Sequence, residues 1–288
     1  MAETFASSTK GSTLVIVGRN RASAEKLFSS LRESGSDGQY EFVECDATLM
    51  KNVKKAANDI LSRHPKINYL VFSQGYLTLD GYTPTAEGID KKLALNYYSR
   101  FRFVHDILPA LRRGQDEDGV GKVMSVLGPG RGGSIDGFVD DMGLKENYST
   151  TNAKNATPTY NDLMMEVRAC PAVSWLSMSS PYCQKFASEN PKLSFVHIFP
   201  GVVSTNMLSS SNNPLLSISG KVLMPLLKPF MTSPADCAQY MWYALHTNNG
   251  GAFRAGSKGE DMGKVGYFGN REQMEKLWQH SKTTTDVD

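Results

Sequence analysis

The chain has 288 residues, with 31 basic and 29 acidic side chains and a formal charge of +2, so its charge implies neither a nucleic-acid nor an anionic-membrane partner. Apolar residues make up 40% and charged residues 21%, which describes a folded chain long enough for a large core. Four cysteines (Cys45, Cys170, Cys183, Cys237) show no CxxC spacing, and the chain has neither a signal-peptide core nor an apolar run of ~18 residues, so a reduced cytoplasmic chain without a membrane span is expected.

The segment from Glu3 to Lys10 reads as the last turns of a helix. Thr13-Leu-Val-Ile-Val17, bounded by Gly11 and Gly18, reads as a buried strand. Ala22 to Arg32 follows as a helix with Ala24, Leu27, Phe28 and Leu31 on one side. Tyr40 to Cys45 is the next strand, Met50 to Arg63 an amphipathic helix, and Ile67 to Phe72 a third strand closing on Ser73-Gln74-Gly75. Gly88 to Arg112 reads as a long helix carrying Leu93, Leu95, Phe101, Val104, Ile107 and Leu111. Lys122 to Gly128 is a strand with Ser125 near its end, and Leu193 to Phe199 is a later strand ending at Pro200-Gly201. Ser233 and Pro234 open a helix through Leu245, Gly269 to His280 is another, and the polar tail 282–288 is expected to fray. Strands and helices alternate with short connections, the signature of βαβ units. The expected fold is a single α/β domain, doubly wound and mostly parallel, spanning 1–288.

Ligands bind beyond the carboxyl ends of parallel strands. Ser125 there, with Tyr148 downstream, is a candidate proton-transfer pair, against the alternative of a hydrogen-bonded core serine. Arg19-Asn20-Arg21 follows the first strand without an acidic residue. A guanidinium at such a place grips a 2′-phosphate with paired hydrogen bonds, whereas a carboxylate would bind a free ribose hydroxyl. A solvated basic turn is the plainer alternative. The histidines are scattered without ligand or triad spacing, and Cys170 with Cys183 has no further partners, so no metal site is expected.

These residues, in order, resemble the short-chain dehydrogenase/reductase family, in its divergent fungal form, from about residue 12 to 245. Gly18-Arg19 is similar to the NADP-type pattern, and Cys45-Asp46 to the adenine-contacting aspartate. Asn96 stands at the helix asparagine and Ser125 at the catalytic serine. Pro200-Gly201 with Thr205 resembles the nicotinamide-side loop. The resemblance implies an NADP-dependent oxidoreductase that interconverts a carbonyl and an alcohol on a small apolar molecule, with a place in fungal secondary metabolism. Ser125, Tyr148, Asn96 and Lys154 would be catalytic. Arg19, Asn20, Arg21, Asp46, Ala47, Ser73, Gln74, Gly75, Pro200, Gly201, Val203 and Thr205 would hold the cofactor. The partner would be a small-molecule substrate, and the resemblance allows a homo-oligomer.

The sequence departs from that pattern in three places. The family's first strand and glycine-rich phosphate loop are missing before Thr13, so an N-terminally truncated product is expected. Tyr148 is followed four residues on by Asn152, with Lys154 the nearest lysine and out of phase on a helix. Pro158 suits a first helical position with Thr157 as cap, which would leave Tyr148 and Lys154 in irregular chain. Tyr160, the rival tyrosine, is followed at the same spacing by Met164. Finally, 167–184 reads as an insertion, either a family-specific excursion or a translated intron. The apolar stretch 206–232, with Met224 and Met231, is the expected substrate lid. A catalytically silent Rossmann-like chain is the competing reading.

Overall fold

The computed structural model describes residues 1–75, 78–165, 186–203 and 231–287. The expected insertion at 167–184, Thr205, and the lid apart from Met231 and Thr232 lie outside the described residues.

The β-branched runs form strands, and all of them pair in parallel. Strands β1 (Thr13–Gly18) and β2 (Gln39–Glu44) make one ladder, with Val15 opposite Glu41. Strands β3 (Tyr69–Phe72), β4 (Lys122–Val126), β5 (Ser194–Ile198) and β6 (Gly251–Ala255) make a second, four-stranded sheet in that order. The helices between them are α1 (Ala2–Ser8), α2 (Arg21–Glu33), α3 (Met50–Arg63) and α4 (Lys91–Leu93). A π-turn, Ala94–Tyr98, joins α4 to α5 (Ser99–Asp118). Then come α6 (Thr150–Met165), α7 (Phe186–Glu189), α8 (Pro234–Thr247) and α9 (Arg271–Thr285).

Alternation along the strands explains the layering. Val123 and Phe195 face one core with residues of α3, α5 and α6, while Met124, Val196 and Ile198 face Cys237, Met241 and Leu245 of α8. Helices therefore cover both faces of the four-stranded sheet, as expected of a doubly wound fold. Each fully buried Leu, Ile or Phe in these layers contributes roughly 1.5–3 kcal/mol.

The two sheets share no ladder among the described residues, so β1 and β3 each have one side without a strand partner. Strand β1 is half-buried rather than buried, and Val17 at its end is exposed. At β3, Phe5 of α1 meets Tyr69 edge-on at 5.9 Å and stacks on Trp242 of α8 at 5.6 Å.

Four elements differ from expectation. Strand β6 reads Gly-Ala-Phe-Arg-Ala, without a β-branched residue, and gave no sequence signal. The expected helix 88–112 is a run from Lys91 to Asp118 that contains the π-turn and Pro109 and stops at Gly119, whose φ is 71°. Helix α6 starts at Thr150, not at Pro158: Ser149 Oγ accepts from the Asn152 N–H at 2.9 Å, and burial of residues 156–165 holds the helix through the proline. The tail is docked rather than frayed as far as residue 287. The Thr285 carbonyl accepts from Arg102 Nη1 and the Val287 carbonyl from Lys54 Nζ, both at 2.7 Å.

Helix α5 approaches the preceding chain where it has no side chain: a Cβ at Gly114 would overlap the Ile67 carbonyl and come within 2.9 Å of the Val120 carbonyl oxygen. Both are backbone atoms, which yield only by moving the helix. Gly114→Ala is therefore expected to lower stability by about 1–3 kcal/mol despite alanine's better helix propensity, read as a lower urea midpoint at unchanged slope.

Candidate functional site

Four-residue spacing places Asn96 and Arg100 on one face of the π-turn and α5. That face meets the carboxyl end of β4. Ser125 is fully buried there. Its hydroxyl donates to Asn161 Oδ1 at 2.7 Å and accepts from Arg100 Nη1 at 2.6 Å. Asn161 Nδ2 donates to the Asn96 carbonyl at 2.9 Å and to the Thr157 carbonyl at 2.8 Å. Ser125 and Asn96, two of the four expected catalytic residues, are thus joined through Asn161.

Arg100 is the fixed charge of this cluster. Its guanidinium also donates to the Val126 carbonyl at 3.0 Å and to the Gln74 carbonyl, clamping the ends of β3 and β4. It is fully buried, its Nε–H has no acceptor, and no carboxylate pairs with it among the described residues. Burial pushes its pKa down to about 9, which leaves it charged at neutral pH.

Tyr148 stands elsewhere. Its hydroxyl meets Lys92 Nζ and lies 3.4 Å from the Asp80 carbonyl oxygen, and its ring meets Tyr82 edge-on at 5.5 Å. Lys92 is buried and anchored by the Asp80 carbonyl at 2.6 Å. Lys154 is exposed on α6 with no hydrogen bond among the described residues, so the ammonium beside Tyr148 comes from α4. Asp141 shapes the approach to Tyr148 by accepting from the N–H groups of Lys145, Glu146 and Asn147 at 2.8, 2.9 and 2.8 Å. Burial alone would raise its pKa, but these donors hold it below the ordinary carboxylate range.

A second buried network lies one residue along α6. Asp162 Oδ1 accepts from His197 Nδ1 at 2.6 Å and from Arg254 Nε at 3.0 Å. His197 Nε2 accepts from the Gly128 N–H at 3.1 Å, which makes the ring a neutral tautomer with its proton on Nδ1. Burial pushes the His197 pKa below its ordinary value against the pull of Asp162. Burial raises the pKa of Asp162, but His197 and Arg254 together leave it lowered. The glycine loop after β4 packs directly on α6: a Cβ at Gly132 would overlap Thr159 Oγ1, and one at Gly133 would come within 2.6 Å of Asn155. These glycines serve close approach to the helix.

The expected cofactor residues occupy strand ends. Arg19 is exposed after β1. Asn20 caps α2 by accepting from the Ser23 N–H at 2.9 Å, and Arg21 lies over the Phe42 ring at 4.8 Å and 3.9 Å from Glu25. Asp46 turns inward on its own loop, accepting from Thr48 N–H at 3.0 Å and Oγ1 at 2.8 Å, beside half-buried Ala47. Ser73 and Gly75 are exposed after β3, and Gln74 Nε2 reaches Ser99 Oγ at 3.4 Å. The Pro200 carbonyl accepts from Cys237 Sγ at 3.4 Å, Gly201 has φ of 77°, and Val203 bridges to Thr232.

Sequence reasoning missed Lys92, Arg100 and Asn161. Arg100 and Asn161 carried one available signal, a polar residue on an otherwise apolar helix face.

Parallel sheets wrapped on both faces, with polar side chains gathered at the carboxyl ends of the strands, define a doubly wound α/β protein of the dinucleotide-fold type. A family profile described as Enoyl-(Acyl carrier protein) reductase matches residues 1–128. An oxidoreductase of Emericella nidulans is 34% identical over 219 residues, covering 76% of this chain and 59% of that protein. A short-chain dehydrogenase/reductase of Stachybotrys chartarum is 25% identical over 277 residues, covering 91% of this chain and 70% of that protein. Among solved structures, a point variant of actinorhodin polyketide ketoreductase with NADPH superposes with a TM-score of 0.55 at 15% identity, covering 92% of this chain and 91% of that one. The chain belongs to the short-chain dehydrogenase/reductase family. It spans about three fifths of the length of the Emericella nidulans relative. Among the described residues, no helix is long and apolar enough to cross a membrane.

The Asp162 network makes a stability prediction. Asp162→Asn leaves Arg254 buried without its carboxylate and should cost about 3–5 kcal/mol in urea unfolding, whereas Lys154→Ala should stay within about 0.5 kcal/mol. The pH dependence has a definite sign. Unfolded histidine takes up a proton near pH 6.5 that folded His197 resists, so the His197 contribution is full above about 6.5 and is lost as pH falls below it. His197→Gln is expected to flatten that loss, measured as Tm between about pH 7 and 5.

Proposed function

We propose that this chain carries out NADP-dependent oxidoreduction, interconverting a carbonyl and an alcohol on a small apolar molecule. The observation that carries the reading is the joining of Ser125 and Asn96 through Asn161 at the carboxyl end of β4, in a chain of this family. The Emericella nidulans relative is named an oxidoreductase, and the ketoreductase neighbour was solved with NADPH.

The residues fit a dinucleotide at its two ends. At one, Arg19 is exposed just past β1, at the amino end of α2, and suits a 2′-phosphate. Arg21, with Asn20 and the Asp46-Ala47 turn, flanks it. At the other, among the described residues an added Cβ at Gly75 would meet Asn96 Oδ1 alone, at 3.8 Å, and Ser73, Gln74, Gly75 and the Pro200-Gly201-Val203 segment, which follow the carboxyl ends of β3 and β5, would take the nicotinamide side. Thr205 belongs to the same proposal from its sequence position. When bound, the nicotinamide would supply or accept the hydride. Ser125 would orient the substrate oxygen, Tyr148 would transfer the proton, and Lys92 in place of Lys154 would hold the Tyr148 hydroxyl in place. Asn96 supports the relay through its backbone carbonyl. A cytoplasmic place in fungal secondary metabolism belongs to the same proposal; the two relatives named above are fungal proteins.

A second reading, a catalytically silent Rossmann-like protein, is favoured by one observation. The Ser125 proton is already given to Asn161, and no hydrogen bond links Ser125 to Tyr148 among the described residues.

The test is a titration of the purified chain with NADPH and NADH, followed by nicotinamide fluorescence. Saturable NADPH binding is expected, tighter than NADH binding, and Arg19→Glu should weaken it by about 10-fold to 100-fold, the value of one charge-assisted contact. With a ketone accepted from a substrate panel, Tyr148→Phe should lower kcat by about 10²-fold or more and Lys92→Met by less. A folded chain that binds neither cofactor would leave the silent reading standing.

A further inference from the structure

Arg100 presents a physical problem that the family assignment does not answer. A charge taken out of water is costly unless a counter-ion or a full set of hydrogen bonds compensates it. Arg100 is fully buried, has no carboxylate partner among the described residues, and leaves its Nε–H without an acceptor. The acceptors it does have are the Val126 and Gln74 carbonyls and Ser125 Oγ. Nearby, Asp162 is already held by His197 and Arg254. Among the described residues, the positive charge at the ends of β3 and β4 is therefore without a balancing carboxylate.

Its geometry says what the charge acts on. Arg100 Nη1 donates to Ser125 Oγ, so the Ser125 proton points away from the guanidinium, at present to Asn161. A donor to one lone pair of a hydroxyl polarises the O–H and makes it a stronger donor in turn. A cation held 2.6 Å from Oγ also lowers the energy of any negative charge that develops beside Ser125.

We infer that Arg100 is the built-in cation of this site, a positioning residue that acts through Ser125 to stabilise a ligand oxygen as it becomes negative. The inference rests on the carbonyl–alcohol reading for the identity of that oxygen, the oxygen of a ketone or aldehyde. The field itself does not depend on that reading. The exposed cations Arg19 and Arg21 do not share this role, because solvent and salt screen them.

The field can be read without a substrate. Ser125→Cys places a thiol where Oγ stands. The pH titration of its thiolate absorbance is taken as a difference from the parent chain under reducing conditions, which removes the four native cysteines. Burial pushes Cys45 up to about 11 and raises Cys237 as well, so both stay silent at neutral pH. A thiol buried without a cation would titrate above the free value of about 8.5. The expected result is a titration below about 8.5 that rises by at least one pH unit in Ser125→Cys/Arg100→Gln and returns most of the way in Ser125→Cys/Arg100→Lys. A titration of the introduced thiol above about 8.5 with Arg100 intact overturns the inference from the single variant, even where the Arg100 variants do not fold. An unchanged pKa in a folded Arg100→Gln variant overturns it too. NADPH titration of the parent chain separates the two claims. A depressed thiol without NADPH binding removes the cofactor reading alone, and NADPH binding with an ordinary thiol removes the role of Arg100 alone.

Discussion

Asn161 and Asp162 lie buried side by side on α6, and the rest of the site depends on satisfying them. A buried amide or carboxylate without partners costs more than most single contacts return, so both must be fully hydrogen-bonded. Being adjacent on a helix, they point about 100° apart. Asn161 takes Ser125 of β4 and the Asn96 carbonyl of the π-turn, whereas Asp162 takes His197 of β5 and Arg254 of β6. His197 in turn accepts from the first N–H of the glycine loop. One turn of helix thus sets the spacing of three strands, a π-turn and a loop at the carboxyl edge of the sheet. The π-turn takes part in the same network, its Asn96 carbonyl accepting from Asn161 Nδ2.

Much of the architecture was legible because its signals are local. The β-branched run at Thr13–Gly18 and the apolar runs of β3, β4 and β5 announce strands, and the period of Met50–Arg63 marked that helix at both ends. Strand β6 carried no such signal; its place is set by the parallel ladder offered by β5 and by burial of Ala255 against α8. Helix α6 ran through Pro158 because a cap at Ser149 and a fully buried second half outweigh one lost backbone bond. The tail was read as frayed from its polarity, yet it is held through the backbone carbonyls of Thr285 and Val287, which no side-chain pattern reveals.

The site divided in the same way. Ser125 was legible as a strand-end serine and Asn96 as a helix residue, but what joins them comes from a third element. The lysine beside Tyr148 was sought by helical spacing, which fails because Tyr148 precedes the helix. Lys92 arrives instead across the fold, at the end of the loop that follows β3. Spacing rules find partners on one element, and tertiary partners leave only compositional traces: a buried arginine in α5, two adjacent polar residues in α6.

On the proposed reading, the reactive step turns on the single proton of Ser125. Arg100 occupies one lone pair of Oγ and Asn161 Oδ1 accepts the O–H, so a substrate oxygen, whose proton comes from Tyr148 on this reading, accepts a hydrogen bond from Ser125 only by displacing Asn161. A neutral carbonyl oxygen is no better an acceptor than an amide oxygen, and displacement would leave Asn161 Oδ1 unsatisfied at about 1–3 kcal/mol. An oxygen gaining negative charge is the stronger acceptor, because charge-assisted hydrogen bonds are roughly twice as strong as neutral ones. The Ser125 bond is then transferred late, when the oxygen has become anionic, and the field of Arg100 favours the same moment. Interactions realised only at that point accelerate the chemistry without tightening the ground state. On that reading, the buried charge and the committed proton, which argue for silence when each is considered alone, would together make a site that discriminates between a ketone and its transition state.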